Sequence, residues 1–227
     1  MPFDLICLDA DDTLWHNMRF FDRAERAVLE MLAPFADAGI AREAMTAAEI
    51  RNLPLYGYGA KSFTLSMIET ALEFGADADA VRAILHAGRD LMAHPVELFD
   101  GIANTLDALA ERGPLILVTK GDLFHQETKL AASGLGDRFH AIEIVSDKQA
   151  ETFARLFARH GADPARCVMA GDSLRSDIHP ALEAGAWAAY IPQPLAWSHE
   201  VVALPDHSRF VQLERLADLP AWLDRLS

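Results

Sequence analysis

The spacing of apolar positions divides the chain into two regimes. It opens on a short apolar run, "LICL" at residues 5–8, which predicts a buried strand over about 4–9. Helical spacing takes over from there. "FFDRAERAVLEMLAPFADAG" sets Phe21, Ala24, Val28, Met31, Leu32 and Phe35 on one helix face, with Gly39 as a stop. "AREAMTAAEIRNLP" predicts a second helix ended by Pro54, and "AKSFTLSMIETALEFG" and "DADAVRAILHAGRDLMAHP" a third and a fourth. The aromatic, glycine-rich and basic stretch "LYGYGAK" between the second and third predicts a loop.

From about residue 100 strands alternate with helices of about a dozen residues. "IANTLDALAERG", "HQETKLAASG" and "QAETFARLFARHG" are helices, each closed by a glycine. The strands "LILVT", "AIEIV" and "CVMAG" follow them, and a short helix "PALEAG" leads to a last strand, "AWAAYI". This alternation predicts an α/β fold with a doubly wound parallel sheet covered on both faces. The expected division is an α/β domain of residues 1–16 and 96–227, with a helical insert at 17–95 after the first strand.

Composition narrows the function. With 51% hydrophobic residues in 227, a sizeable core is expected. No apolar stretch approaches the roughly 20 residues that span a bilayer, and the N-terminus lacks a basic, apolar leader pattern. The net charge of −14 disfavours nucleic acid and anionic membranes as partners. Cys7 and Cys167 both lie in strand-like runs and read as reduced, buried thiols of a cytoplasmic protein.

The chemistry gathers where the strands end. In an open parallel sheet, ligands bind beyond the carboxyl ends of the strands, near the point where strand order reverses. The first strand ends at Asp9, with Asp11 and Asp12 next; "LILVT" ends at Thr119, followed by Lys120; "CVMAG" is followed by Asp172 and Ser173, with Asp177 five residues after Asp172; and Lys148 follows "AIEIV". Clustered carboxylates need a cation between them, and oxygen donors without histidine suit Mg2+. A hydroxyl and lysines beside that ion would hold a phosphoryl group. Asp9 is then placed to attack phosphorus, and Asp11 to protonate the leaving oxygen and activate water. Singly, each residue has a plainer reading: turn and cap acids for Asp11, Asp12 and Asp177, a strand terminus for Thr119, surface charge for Lys120 and Lys148. Their order, each at a strand end, is what favours the chemical one.

In that order the residues resemble the haloacid dehalogenase-like (HAD) superfamily of hydrolases. "DADDTLW" resembles its first motif, Asp-x-Asp-x-Thr/Val, in which Asp9 matches the nucleophile and Asp11 the general acid/base. "LILVTKGD" resembles the second motif, with Thr119 on the transferring phosphoryl group; Lys148 in "VSDKQAETF" matches the third-motif lysine; and "VMAGDSLRSDI" resembles the fourth motif. The resemblance implies a Rossmann-like core, a helical C1-type cap at 17–95, and Mg2+ held by the Asp9 side chain, the Asp11 main-chain carbonyl and Asp172, with Asp177 and Ser173 behind them. Two positions depart from the pattern. Lys120 stands where many relatives have Asn, either as a second cation for an anionic substrate group or facing solvent, and Asp12 stands where Gly is common.

The resulting expectation is a Mg2+-dependent phosphomonoesterase acting on a small phosphorylated metabolite through a phospho-aspartyl intermediate. A phosphoryl-transferring mutase, a dehalogenase and an idle binding module are the alternatives on the same scaffold. The dehalogenase branch lacks a carboxylate two residues after its nucleophile, which Asp11 supplies, and an idle module would have lost a motif acid. In the loop "LYGYGAK", Tyr56, Tyr58 and Lys61 are candidates for contact with the leaving group, or else an interhelix turn packed on the cap. Trp15 and His16 read as hinge packing.

Overall fold

The computed structural model describes residues 3–226. Six parallel strands form one sheet: β1 (Leu5–Leu8), β2 (Leu115–Lys120), β3 (Ala141–Val145), β4 (Cys167–Gly171), β5 (Trp187–Tyr190) and β6 (Phe210–Gln212). Their spatial order is β3-β2-β1-β4-β5-β6. The order reverses at β1, which pairs with β2 on one side and β4 on the other. The carboxyl ends of those three strands therefore lie side by side, at the switch point where an open sheet forms its crevice.

Side-chain alternation covers both faces of this sheet. Ile6, Leu8, Leu115, Leu117, Val168 and Ala170 pack in one apolar cluster with Ile102, Leu106 and Leu109 of α5 (Ile102–Ala110) and with α9 (Leu219–Leu223). The intervening Leu5, Cys7, Ile116, Val118, Cys167 and Met169 pack against Phe153, Leu156 and Phe157 of α7 (Ala150–Arg159) and Ala181 of α8 (His179–Glu183). Both faces are buried, so these strands read as unbroken apolar runs instead of alternating ones. The doubly wound α/β fold is thus as expected. The short β6 and α9 were not anticipated; three and five residues carry too little periodicity to register.

The chain forms two compact units. The one that holds the sheet runs through His16, resumes for Val96–Lys120, and continues from Gln126. The other comprises Asn17–Pro95 with Gly121–His125. It is built from α1 (Met18–Leu32), α2 (Ala38–Tyr56), α3 (Ala60–Glu73) and α4 (Ala78–Met92), around Val28, Leu32, Met45, Met67 and Ile84. Among the described residues no helix is long and apolar enough to cross a membrane.

Two helix boundaries differ from expectation. Gly39 stops no helix; it lies in the first turn of α2, because the Asp37 carboxylate accepts the N–H groups of Gly39 and Ile40 at 2.8 and 3.4 Å and caps the helix there. Pro54 lies within α2 and does not end it, since a proline so near the end removes one donor and the Gly57 N–H still reaches the Leu53 carbonyl.

Helices α3 and α4 approach closely at Gly88. A Cβ there would lie 2.3 Å from both Cγ2 and Oγ1 of Thr64 and 2.8 Å from its Cβ. Gly88→Ala should lower stability by about 1–3 kcal/mol through overpacking, although Gly to Ala within a helix ordinarily stabilises by about 0.5–1 kcal/mol. Denaturant unfolding reads the sign of the change, and a stabilised variant would refute the close packing.

Candidate active site

The site grows from the end of β1. Asp9 extends the strand, its N–H donating to the Ala170 carbonyl at 3.0 Å, and its side chain is buried. The chain then turns back at once. The Leu14 N–H donates to the Ala10 carbonyl and the Asp12 N–H to the Trp15 carbonyl, both at 2.8 Å. That turn puts Asp12 at φ +59°, in the left-handed region. Glycine is favoured there and aspartate is among the side chains that tolerate it, which accounts for the departure from the family pattern at this position.

Gly171 ends β4 on the other side of β1. A Cβ on it would lie 2.2 Å from Oδ2 of Asp177, so only glycine lets that carboxylate fold against the strand end. Asp177 is presented by one π-helical turn, Leu174–Ile178, in which the N–H groups of Asp177 and Ile178 both donate to the Ser173 carbonyl, at 2.9 and 3.2 Å. Such turns concentrate at functional sites. Asp177 accepts the Ser173 N–H on Oδ2 at 3.0 Å and Lys148 Nζ on Oδ1 at 2.6 Å. The same ammonium donates to Asp9 Oδ1.

Asp9, Asp172 and Asp177 each offer a carboxylate oxygen, and these oxygens all lie within 4.8 Å of one another. One lysine does not balance them. Burial, then repulsion from Asp177 and Asp11, pushes the Asp9 carboxyl up to about 7 against the pull of Lys148. Burial and the charges of Asp9, Asp177 and Asp12 drive Asp172 well above the carboxylate range. Lys148 resists its own burial and stays charged because Asp177 and Asp9 face it. An excess of oxygen donors whose own repulsion pushes their protonation upward is the environment that a hard divalent cation relieves, so these three carboxylates fit Mg2+. They include Asp177, which the resemblance set behind the ion.

The Asp11 side chain belongs to a second group. Trp15 Nε1–H donates to its Oδ1 at 2.6 Å, Lys129 Nζ donates to Oδ1 and Oδ2 at 2.6 and 2.7 Å, and Gln126 Nε2 reaches Oδ2 at 3.1 Å. Burial opposes ionisation of Asp11, yet Lys129, with help from Trp15 and Gln126, holds its carboxyl below the usual carboxylate range. Gln126 Nε2 also donates to Thr119 Oγ1 at 2.6 Å, so the end of β2 and the turn after β1 are joined by one amide.

Lys120 and Ser173 meet on a partner not foreseen. Lys120 Nζ donates to Glu200 Oε1 at 2.5 Å and to Ser176 Oγ at 2.6 Å, while the hydroxyls of Ser173 and Ser176 both donate to Glu200 Oε2. The alternatives of a substrate anion or solvent for Lys120 are thus joined by an internal carboxylate. Lys61, in the helical unit, is half-exposed and pairs with Asp122 at 2.8 Å. Tyr56 donates its hydroxyl to Glu69 Oε1 at 3.0 Å. Trp15 is buried in the core, as a packing residue would be, and serves Asp11 as well.

Gln126, Lys129 and Glu200 were missed from sequence. Lys129 and the buried Leu130 lie three and four residues after Gln126 on α6 (Leu123–Ser133), so a polar pair on an apolar helix face was the available signal. Glu200 ends a single 3-10 turn, Ser198–Glu200, too short to give a periodic cue.

Residues 3–185 match the family of haloacid dehalogenase-like hydrolases, and the chain belongs to that family. Among solved structures, a haloacid dehalogenase-like family hydrolase from Xanthomonas campestris is 37% identical with a TM-score of 0.89, over 99% of this chain and 92% of that one. The HAD-hydrolase YfnB from Bacillus subtilis, solved bound to magnesium (20% identity, TM-score 0.70, 99% of this chain and 100% of that one), and the L-2-haloacid dehalogenase from Xanthobacter autotrophicus (17%, 0.68, with the same coverage) share the fold. An N-acylneuraminate-9-phosphatase from Mus musculus is 34% identical over 93 residues, 39% of this chain and 38% of that protein. The chain thus matches well under half the length of that relative.

The displaced carboxyls have a thermodynamic signature. Asp9 binds its proton more tightly folded, at about 7, than at its ordinary 3.8, so between those pH values the folded state carries more protons than the unfolded one. Stability of the metal-free protein should therefore fall from this group as pH rises from about 4 to 7, and Asp9→Asn should flatten that slope. Thermal unfolding across the range checks this; a wild-type slope unchanged by the substitution would show that Asp9 is not displaced.

Proposed function

We propose that this hydrolase is a Mg2+-dependent phosphomonoesterase working through a phospho-aspartyl intermediate on Asp9. The observation that carries the reading is the convergence of Asp9, Asp172 and Asp177 on one point, with Lys148 bridging two of them. An Asp9 Oδ attacks phosphorus as the bond to the leaving oxygen breaks, and Asp11, which must enter this step protonated against the pull of Lys129, gives its proton to that oxygen. Water then attacks the phosphorus, Asp11 takes its proton, and the bond to Asp9 breaks, returning the carboxylate and releasing phosphate. Thr119 and Lys148 hold the phosphoryl oxygens. Mg2+, held by Asp9, Asp172 and the Asp11 carbonyl with Asp177 beside them, would neutralise the charge of nucleophile and phosphoryl group together.

Asp11 is what favours phosphoryl chemistry over dehalogenation, because proton transfer to an alkoxide needs an acid and halide departure does not. The substrate is read as a small phosphorylated metabolite, and the name of the curated relatives puts an N-acylneuraminate 9-phosphate first in a panel of phosphorylated sugars, acids and nucleotides. Residues 17–95 are read as the cap that recognises the leaving group, with Lys61 as a candidate contact and Lys120 as a candidate for a second anion. The buried thiols of Cys7 and Cys167 agree with a reducing, cytoplasmic setting.

Asp9→Asn should reduce phosphate release across that panel to background, a loss of several orders of magnitude; substantial residual turnover would sink the covalent mechanism. Mg2+ should raise the melting temperature more at pH 8 than at pH 5, because protons and the ion compete for the same carboxylates, and Asp172→Asn should abolish the rise. An equal rise at both pH values, or one that survives Asp172→Asn, would refute the metal site.

A further inference from the structure

Lys120 and Glu200 form an internal ion pair at the carboxyl end of the sheet. Their side chains are 16% and 13% exposed, and their charged atoms lie 2.5 Å apart. Two hydroxyls complete the pair. Ser176 Oγ accepts from Lys120 Nζ at 2.6 Å and donates to Glu200 Oε2, to which the Ser173 hydroxyl also donates. Ser173 Oγ in turn accepts the Ser176 N–H at 2.9 Å, which fixes both hydroxyls in the turn after β4. Burial opposes ionisation of Glu200, yet Lys120 and the two hydroxyls hold its carboxyl below the usual carboxylate range.

An ammonium with two hydroxyls beside it is a receptor for a carboxylate or a phosphate oxygen, and here the chain fills it with its own carboxylate. The placement gives this a consequence. Lys120 ends β2, directly after Thr119, and the two serines lie in the turn that follows Asp172 and carries Asp177. The strand between β2 and β4 is β1, which leads into Asp9. The pair therefore flanks the crevice in which Asp9 would meet phosphorus. A substrate carboxylate close to the ester would face the fixed, poorly screened charge of Glu200 there, with the ammonium already taken.

We infer that Glu200 is a specificity-determining residue: by taking up the charge of Lys120 it excludes phosphomonoesters with a second anionic group on the carbon that bears the ester oxygen. The substrates it selects have a leaving group that is uncharged close to the phosphate. The inference rests on the phosphatase reading above, and it gives Lys120 a partner from the chain in place of a substrate anion. Glu200 touches no reacting atom in this scheme; it acts through its charge and through Lys120.

The test uses two unhydrolysable ligands of similar shape. In 3-phosphonopropionate a methylene stands in for the ester oxygen and the next carbon bears a carboxylate; propylphosphonate has a methyl group in place of that carboxylate. Titration calorimetry with Mg2+ present gives the ratio of their Kd values. The wild-type protein should bind propylphosphonate at least as tightly as 3-phosphonopropionate. Glu200→Gln keeps an oxygen for the two hydroxyls but leaves Lys120 charged, and should shift the ratio about 10- to 100-fold toward 3-phosphonopropionate, as one charge-assisted contact provides. Combining it with Lys120→Met removes both charges and restores the balance, so the ratio should return to within about threefold of wild type. A wild-type preference of about tenfold or more for 3-phosphonopropionate, an unshifted ratio in Glu200→Gln, or a shift that persists in the double variant would each overturn the inference. Absence of phosphate release from every member of the panel would instead refute the phosphatase reading itself.

Discussion

The buried ammonium of Lys148 is the interaction on which the rest of the site depends. The topology of the sheet forces carboxylates together: β1 and β4 are neighbours, and each delivers its acids at the same end. Left to themselves those charges would repel in a medium that screens them poorly. Lys148 is the counter-charge, and it does not come from an adjacent strand. It follows β3, two strand spacings or about 10 Å from β1, so both the loop after β3 and the long stem of the side chain are needed to reach Asp9 and Asp177. The edge strand therefore serves the centre of the sheet electrostatically as well as by hydrogen bonding.

Two carboxylates two residues apart end in opposite environments. Asp9 faces burial and other acids, and its proton is held up to about 7; Asp11 faces Lys129, Trp15 and Gln126, and its carboxyl is held down. In the metal-free site these directions are opposite to those a nucleophile and a proton donor need, and a cation beside Asp9 would draw its carboxyl back down. The tight turn after β1 makes the division possible. With Asp12 in the left-handed region the chain reverses within a few residues, and Asp11 is turned toward α6 while Asp9 stays with β4.

The same fold carries dehalogenases and phosphatases, so the sheet does not choose the reaction. The choice rests on a few side chains outside the sheet's own hydrogen bonding. Glu200 shows how far such groups can come from: it reaches Lys120, Ser173 and Ser176 from a short 3-10 turn after β5 and ties the ends of β2 and β4 to that segment. The segment is held by charge and hydroxyls at Glu200, and by Val202 packed against Leu174, Ile178, Leu182 and Ala188.

By itself the sequence determined the elements and the acids at the strand ends, because both are written in local pattern. Apolar runs mark strands buried on two faces, glycines close helices, and Asp9 and Asp172 directly follow such a run, Thr119 ends one, and Lys148 follows one by a short loop. Even the exceptions were local in cause, the Asp37 cap before Gly39 and the late placement of Pro54 in α2. What tertiary structure alone decided is which charge meets which. Lys129 pairs with Asp11 across 118 residues, Lys120 with Glu200 across 80, and Asp177 joins Asp9 through a lysine 139 residues from Asp9. A lysine on a helix looks the same in sequence whether it faces water or a carboxylate. Only the approach of α6 to the turn after β1, fixed by packing against the sheet, makes Lys129 part of the site.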